Sequence, residues 1–169
     1  FYYGGIIFWI YILQYILRVI YVRFLRPPTS FDKFKGEWAL VSGGSYGIGK
    51  EFCYALARRG LNVVLLSRST EKMYEIAKDL RSKYSVQVKC ITVDLLQTET
   101  CFEKIRNELE KSGIKPLMLV NNAGGGGPTD QLFYEYHLYS EEFEKQLFTL
   151  NVVSTLQLTR MCLPYMIEA

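Results

Sequence analysis

The sequence predicts an α/β fold in which helices cover both faces of a parallel sheet, with an apolar helix preceding that domain. Three observations lead to this prediction. Short apolar runs alternate with amphipathic helical patterns from residue 36 onward. A glycine-rich turn follows the first of those runs. Residues 1–25 form an almost uninterrupted apolar and aromatic stretch.

Composition narrows the functional classes. Apolar residues make up 49% of the 169 residues and charged residues 22%, which is typical of one folded domain and excludes general disorder. The net charge is only +3, so no nucleic-acid partner is indicated. Four cysteines form no Cys-x-x-Cys pair and there is one histidine, so we expect no metal site. We interpret the cysteines as buried, reduced thiols of a protein that faces the cytosol.

The segment 1–25 is interpreted as a membrane anchor helix. Its first 17 residues carry no charge, and all 25 can span a bilayer if Arg18 and Arg23 snorkel to the interface. With Arg26, these arginines flank the C-terminal end, which favours a cytosolic position for the following domain. An interfacial helix and a soluble interaction helix are the alternatives. A cleaved signal peptide is disfavoured because the stretch ends in Arg-Pro-Pro. Aromatic residues suited to an interfacial belt are Trp9, Tyr11, Tyr15 and Tyr21.

After a linker at 26–35, strands and helices alternate through a domain at 36–169. Apolar runs predict strands at 38–41, 62–66, 86–93 and 117–120. Helical periodicity predicts helices at 47–59, around 73–80, around 102–109 and from about 140 to 166. Because the chain starts at Phe1 and stops after a helical pattern, we expect the N-terminal part of a longer protein, with a domain incomplete at its C-terminus.

The turn from Ser42 to Gly49 joins the first strand to the first helix of the domain. Its Gly-x-x-x-Gly-x-Gly spacing provides a sharp turn, close backbone approach to a pyrophosphate, and tight packing of helix on sheet. The helix N-terminus also presents N–H groups to phosphates. The turn therefore predicts a Rossmann-type dinucleotide-binding sheet; an ordinary turn is the alternative.

The second strand indicates which dinucleotide is bound. An acidic residue about 20 residues past the glycines holds the ribose hydroxyls of NAD in many such domains. This chain has Arg68 there. A guanidinium can bind a 2′-phosphate with two hydrogen bonds, whereas a carboxylate repels it. NADP(H) is therefore favoured over NAD, and a solvated surface arginine is the alternative interpretation.

Four motifs in order resemble the short-chain dehydrogenase/reductase superfamily over residues 36–169. They are the glycine turn, Val93-Asp94-Leu95, Asn121-Asn122-Ala123-Gly124, and Asn151 within Leu150-Asn151-Val152. Gly47-Ile48-Gly49-Lys50, the run 63–68 and the preceding apolar segment are similar to one branch. That branch holds membrane-bound 17β-hydroxysteroid dehydrogenases and very-long-chain 3-oxoacyl-CoA reductases, including hydroxysteroid dehydrogenase-like proteins.

The resemblance implies a role for each matched position. Residues implied to line the pyrophosphate are Gly43, Ser45, Tyr46, Gly47, Ile48 and Gly49. Asp94 and Leu95 would flank the adenine. Residues implied to lie beside the ribose are Asn122, Ala123 and Gly124. Asn151 would be the asparagine of the catalytic set, holding a water on the proton path to a lysine. A serine and a Tyr-x-x-x-Lys are expected after Ala169, so these 169 residues alone are not expected to transfer hydride.

Asn151 also has a physical argument of its own. It shares a predicted helical face with Leu147, Ser154, Thr155 and Leu158. We expect that face to be buried, so its amide needs hydrogen-bond partners. A structural asparagine bonded to nearby backbone is the alternative. Aromatic residues at 131–136 could touch a hydrophobic substrate or form a surface loop, and no catalytic role is assigned to His137.

The resemblance implies an NADP(H)-dependent oxidoreductase acting on the carbonyl or alcohol of a lipid-like substrate, a steroid or a 3-oxoacyl-CoA. It implies the endoplasmic reticulum membrane, with the domain facing the cytosol, and is compatible with a homodimer. Two alternatives stay open. One is a non-catalytic NADP-binding or interaction protein of the same fold. The other is a soluble dehydrogenase of another lineage.

Overall fold

The computed structural model describes residues 2–26, 30–126 and 140–169. The chain divides into two compact units, Phe1–Phe31 and Asp32–Ala169. The first unit contains helix α1, Tyr2–Ile20, which continues as a π-helical turn at Tyr21–Leu25. The second unit begins with a 3-10 turn at Asp32–Phe34 and contains every strand that the structure describes.

Helix α1 is apolar over most of its surface, with Gln14 and Arg18 as its strongly polar residues. The 22 residues Gly4–Leu25 have a mean hydropathy of 1.8, which makes this helix long and apolar enough to cross a membrane. Its large aromatic side chains are exposed, Trp9 by 67% and Tyr15 by 69%. A helix with so few polar residues lacks the broad polar face that an amphipathic surface helix turns toward water. The predicted apolar helix is therefore present, and its length and composition suit a bilayer.

The second unit is built on four parallel strands. They are β1 Trp38–Ser42, β2 Asn62–Ser67, β3 Val88–Thr92 and β4 Pro116–Val120, in the order β3-β2-β1-β4. The helices that connect and follow them are α2 Gly47–Arg58, α3 Thr70–Tyr84, α4 Thr98–Lys111, α5 Glu141–Phe148 and α6 Ser154–Glu168. The chain passes from β1 outward to β3, then returns to the other side of β1. The predicted doubly wound parallel sheet is confirmed.

Both faces of the central strands are buried. Leu40, Val64 and Leu66 face a core completed by α4 and α6. Leu65 points the other way, toward Cys53 of α2 near the glycine turn. Residues on strands alternate between faces, so the continuous apolar runs in the sequence correspond to strands covered on both sides. Each fully buried leucine contributes roughly 1.5–3 kcal/mol.

The third strand starts later than predicted, at Val88 rather than residue 86. Helix α3 ends at Ser85 in the left-handed conformation, with φ 54°, and the chain needs the next two residues to reach the sheet. Asn62 holds this connection: its Oδ1 accepts from Gln87 N at 2.8 Å, and its Nδ2 donates to Gly36 O at 2.6 Å. Val86 is still buried, which is why its apolar character suggested a strand.

A polar cluster joins α2 to α3. Tyr54 Oη donates to Asp79 Oδ2 at 2.6 Å, and Lys83 Nζ lies 2.9 Å from the same oxygen. The hydrogen bonds from Tyr54 and Lys83 hold the pKa of Asp79 below its ordinary value. Burial and the bond to Asp79 raise the pKa of Tyr54 to about 12. The cluster therefore stabilises α2, which begins at the glycine turn, only while Asp79 is ionised.

Replacing Asp79 by asparagine should remove an acid-sensitive part of the stability. A lowered folded-state pKa contributes stability above the unfolded value, about 3.9, and that contribution disappears as pH falls through the folded value. The urea midpoint of Asp79→Asn should lie below wild type at pH 7, and the two should converge as the pH is lowered through this window. Glu110→Gln, on the exposed surface of α4, is the control. Parallel midpoint curves for wild type and Asp79→Asn would contradict this role.

Candidate functional site

A cleft of about 340 Å³ opens at the carboxyl ends of the strands. It lies where the chain order reverses around β1, the position at which open parallel sheets bind ligands. Its walls come from the glycine turn, the ends of β2, β3 and β4, and the α5–α6 region. The lining residues are Gly43, Ser45, Tyr46, Leu66, Ser67, Arg68, Val93, Asp94, Leu95, Leu96, Asn122, Ala123, Gly124 and Leu150.

Ser42, the last residue of β1, fixes the floor of this cleft. Its buried hydroxyl donates to Val120 O at 3.3 Å and accepts from the backbone N–H groups of Asn122 and Ala123, both at 3.0 Å. Asn122 Nδ2 donates in return to Ser42 O at 3.1 Å and Gly43 O at 3.3 Å. The ends of β1 and β4 are thus joined by hydrogen bonds beyond the sheet ladder.

The glycine turn lies directly against this junction. A Cβ on Gly49 would lie 2.3 Å from Gly43 O and 2.4 Å from Asn122 Nδ2, so no side chain fits there. A Cβ on Gly43 would lie 3.0 Å from Asn122 Nδ2, and its φ of 68° also favours glycine. These glycines allow the first turn of α2 to pack on the ends of both strands and leave bare backbone facing the cleft.

Helix α2 begins at the cleft without a side-chain cap. Tyr46 occupies the N-cap position in an extended conformation and makes no capping hydrogen bond, and the first turn contains no acidic residue. Gly47 has a φ of 51°, which turns the chain into the helix. N–H groups at a helix N-terminus that lack a cap can bind an anion, and the helix dipole favours one. Beneath the turn, burial raises the pKa of Cys53 to about 12 and keeps its thiol protonated.

The end of β2 forms the opposite wall. Ser67 Oγ lies 2.5 Å from Ser45 Oγ and accepts from Ser69 N at 3.2 Å. Arg68 lines the cleft between these serines and makes no hydrogen bond or ion pair within the part of the chain that the structure describes. At the end of β3, Asp94 Oδ1 accepts from Leu96 N at 3.1 Å, which turns the chain toward α4. A cation and a carboxylate therefore stand on the same rim.

Asn151 lies in a π-helical turn, Thr149–Val153, that separates α5 from α6. Its amide makes two hydrogen bonds to one residue: Oδ1 accepts from Gly125 N at 2.9 Å, and Nδ2 donates to Gly125 O at 2.8 Å. The amide is hydrogen-bonded, as predicted, but the prediction that Asn151 itself is buried is wrong. Ser154 and Leu158 are buried, but Asn151 is exposed, because the wider turn rotates residues before it relative to those after it.

Most of the predicted cofactor-binding residues converge on the cleft, but four predicted site residues do not line it. Gly49 is buried beneath the turn, and Ile48 projects outward with 71% of its surface exposed. Gly47 and Asn151 do not line the cleft themselves, but Tyr46 and Leu150, which precede them in the chain, do. Five further residues line the cleft but were not predicted from the sequence. Each lies at or next to the end of a strand or helix: Leu66, Ser67, Val93, Leu96 and Leu150. The predictions at 131–136 and His137 fall outside the described residues.

The geometry fits a dinucleotide carrying an extra phosphate. Bare glycine backbone and the uncapped start of α2 form one wall, which suits a pyrophosphate. Arg68, which has no ion-pair partner among the described residues, supplies a positive charge on the other, as a 2′-phosphate requires. Leu95 and Val93 provide apolar surface near Asp94, as expected beside an adenine ring.

Comparison with known families agrees with this geometry. The profile described as short chain dehydrogenase matches residues 37–169. This chain belongs to that family. The expected family resemblance is thereby confirmed, as is the Rossmann-type fold that it implies.

This short chain dehydrogenase is similar in sequence to one group of reductases. It is 38% identical over 139 residues to the very-long-chain 3-oxoacyl-CoA reductase of Rattus norvegicus, a match covering 79% of this chain and 41% of the relative. It is 31% identical to the same-named reductase of Meyerozyma guilliermondii, covering 98% of this chain and 50% of the relative. The chain therefore spans about half the length of these relatives, or less.

Solved structures of the family share the architecture. L-sorbose reductase from Gluconobacter frateurii, complexed with NADPH and L-sorbose, superposes with a TM-score of 0.71 at 27% identity, covering 80% of this chain and 49% of that one. A short-chain dehydrogenase from Sphingobium yanoikuyae in complex with NADPH gives 0.65 at 27% identity, covering 78% and 49%. Both neighbours hold the phosphorylated form of the dinucleotide.

Gly49→Ala should lower the thermal midpoint by several degrees. The added methyl would overlap backbone at Gly43 and the amide of Asn122, and forcing a side chain into such a packed position costs roughly 1–3 kcal/mol or more. Gly126→Ala, where a Cβ would meet nothing within 4 Å, is the matched control and should leave the midpoint nearly unchanged. Equal midpoints for both variants, measured by circular dichroism, would show that the close approach at Gly49 is not required.

Proposed function

We propose that this cleft binds NADP(H) and that the whole protein is an NADP(H)-dependent oxidoreductase acting on the carbonyl or alcohol of a lipid-like substrate. The observation that carries the proposal is Arg68. It stands without an ion-pair partner, among the described residues, on the rim of a cleft whose facing wall is bare glycine backbone. A guanidinium in that place favours a 2′-phosphate over a free 2′-hydroxyl.

Each wall would hold one part of the cofactor. The backbone at 43–49 and the start of α2 would bind the pyrophosphate. Arg68 would bind the 2′-phosphate, and Asp94 with Leu95 would flank the adenine. Asn122, Ala123 and Gly124, which are fixed by Ser42, would lie beside the ribose. NADPH-bound family members with 27% identity support this arrangement.

When bound, the reduced cofactor would supply a hydride to a carbonyl carbon. The described residues would hold the cofactor-binding loops in position and would not themselves transfer a proton. Asn151 holds the backbone of Gly125 at both its N–H and its C=O, so it fixes the strand-end loop that follows Ala123 and Gly124. We propose that Asn151 acts in the catalytic set through this placement. Its exposed position leaves its surroundings accessible to water.

The substrate class follows from the first unit. An apolar helix that suits a bilayer would keep the domain beside molecules that partition into lipid. Relatives named very-long-chain 3-oxoacyl-CoA reductase support a long-chain acyl thioester as the substrate, more directly than a steroid. We place the protein in the endoplasmic reticulum membrane with its domain in the cytosol, supported by the arginines at 18, 23 and 26.

Arg68→Asp should weaken NADPH binding about 100-fold and NADH binding much less. The change removes charge-assisted hydrogen bonds and places a carboxylate beside the 2′-phosphate. Arg58→Asp makes the same change of charge at the end of α2, outside the cleft, and should preserve the wild-type preference. Dissociation constants for both dinucleotides can be measured by calorimetry. An equal loss for NADPH and NADH would contradict the 2′-phosphate role.

The anchor can be tested by alkaline extraction of membranes. Wild type should stay in the membrane pellet. The double variant Ile12→Asp and Ile16→Asp should move to the soluble fraction, because each charge near the middle of a spanning helix costs roughly 2.5–3.5 kcal/mol. Ile12→Leu with Ile16→Leu is the matched control and should behave as wild type. Release of the wild-type protein into the soluble fraction would rule out a membrane-embedded helix.

A further inference from the structure

A second cation, Lys72, follows Arg68 by four residues and contacts an aromatic ring that lines the cleft. Lys72 is in the first turn of α3, and its Nζ lies 5.7 Å from the centroid of the Tyr46 ring. Tyr46 lines the cleft and is 77% exposed. An ammonium at this distance from an aromatic ring makes a cation–π contact. Lys72 therefore reaches from α3 to the glycine turn along the edge of the cleft.

Two layers of contact connect these turns. The inner layer is the pair of hydroxyls on Ser45 and Ser67, 2.5 Å apart. The outer layer is the contact of Lys72 with Tyr46; Tyr46 directly follows Ser45, and Lys72 stands five residues after Ser67, in the first turn of α3. Arg68 immediately follows Ser67 and lines the cleft on the same side. Arg68 therefore lines the cleft itself, and Lys72 lies outside its lining, in contact with the lining residue Tyr46.

Neither cation is neutralised by a carboxylate. Within residues 2–26, 30–126 and 140–169, Arg68 and Lys72 form no ion pair, whereas Lys35, Lys83 and Lys89 each have an acidic partner. Asp94 is a carboxylate on the same rim as Arg68, so a second cation, four residues after Arg68, adds the positive potential that favours a doubly charged anion. A contact between an exposed ammonium and a ring is weak, so the lysine can move from the ring to a phosphate oxygen at little cost.

We propose that Lys72 is a second specificity-determining cation for the 2′-phosphate of NADP(H), and that the ring of Tyr46 holds it in place before the cofactor binds. This inference rests on the proposed function of the cleft. Arg68 would provide the paired, planar hydrogen bonds, and Lys72 a mobile point charge from the first turn of α3. Tyr46 would have two roles, as part of the cleft wall and as the residue that positions the lysine.

The test is the ratio of NADPH to NADH affinity in the full chain. Lys72→Met keeps the length and apolar stem of the side chain but removes its charge. It should weaken NADPH binding roughly tenfold and NADH binding by less than about twofold, as expected for one charge-assisted contact. Lys78→Met is the matched control, since it is exposed on the same helix about 9 Å farther along its axis. Lys72→Gln provides a second uncharged variant.

The role of Tyr46 can be tested by combining its substitution with that of Lys72 in a double-mutant cycle. Tyr46→Leu should lower the NADPH-to-NADH affinity ratio about twofold to threefold in the wild-type background and leave it unchanged in the Lys72→Met background. The NADPH-selective loss in Lys72→Met should also shrink as salt is added. Competition by 2′-AMP against 5′-AMP gives the same ratio without the nicotinamide half.

The outcomes separate this inference from the proposed function. An unchanged affinity ratio in Lys72→Met, with wild type still preferring NADPH, would overturn the role of Lys72 and leave the proposed cofactor intact. An equal fall in Lys78→Met would also overturn it, because a general effect of net charge would then explain the result. A wild-type chain that binds neither NADPH nor NADH would overturn both proposals.

Discussion

The cleft depends on one buried hydroxyl. Ser42 accepts two backbone N–H groups from the segment after β4 and donates to β4 itself, so it closes the gap between two strands at the point where their ladder ends. Asn122 returns two hydrogen bonds to the turn after β1. Without this hydroxyl, two part-buried N–H groups would lose their acceptor, at a cost of up to roughly 1–3 kcal/mol for each unsatisfied group. The glycine turn, the start of α2 and the ribose side of the cleft are all positioned by this junction.

The fold could be predicted from the sequence because each element carries a local signal. The runs at 38–42 and 62–67 are short, apolar and buried on both faces. Glycines are required between the first run and α2 because neighbouring atoms lie within about 3 Å of the place where a Cβ would stand. The start of β3 was misplaced because Val86 is buried without being in a strand. Burial and hydrogen-bonded pairing are different properties, and hydrophobicity reports only the first.

The site was predicted less completely. Arg68 could be found because it follows the second strand at the expected distance past the glycines, and Asp94 because it stands in a motif of the family that the sequence resembles. The contact of Lys72 with Tyr46 joins residues from different turns, and no spacing within one segment reveals it. The exposure of Asn151 depends on the π-helical turn at Thr149–Val153, whereas a regular α-helical period places that residue on the same face as Leu158. Long-range contacts and departures from the ideal helix are therefore the features that local pattern reasoning misses.

The junction at Ser42 also governs the order in which the molecule can assemble. Ser42 and the two N–H groups that it accepts are 80 and 81 residues apart in sequence. Three strands and three helices must be synthesised and arranged between them before these bonds can close. Loops of that length make contacts slow to form, since chain entropy must be lost before the contacts repay it. During synthesis, β1 to β3 and their helices can pack as soon as they emerge, but the junction that forms the floor of the cleft cannot close until Ala123 has left the ribosome.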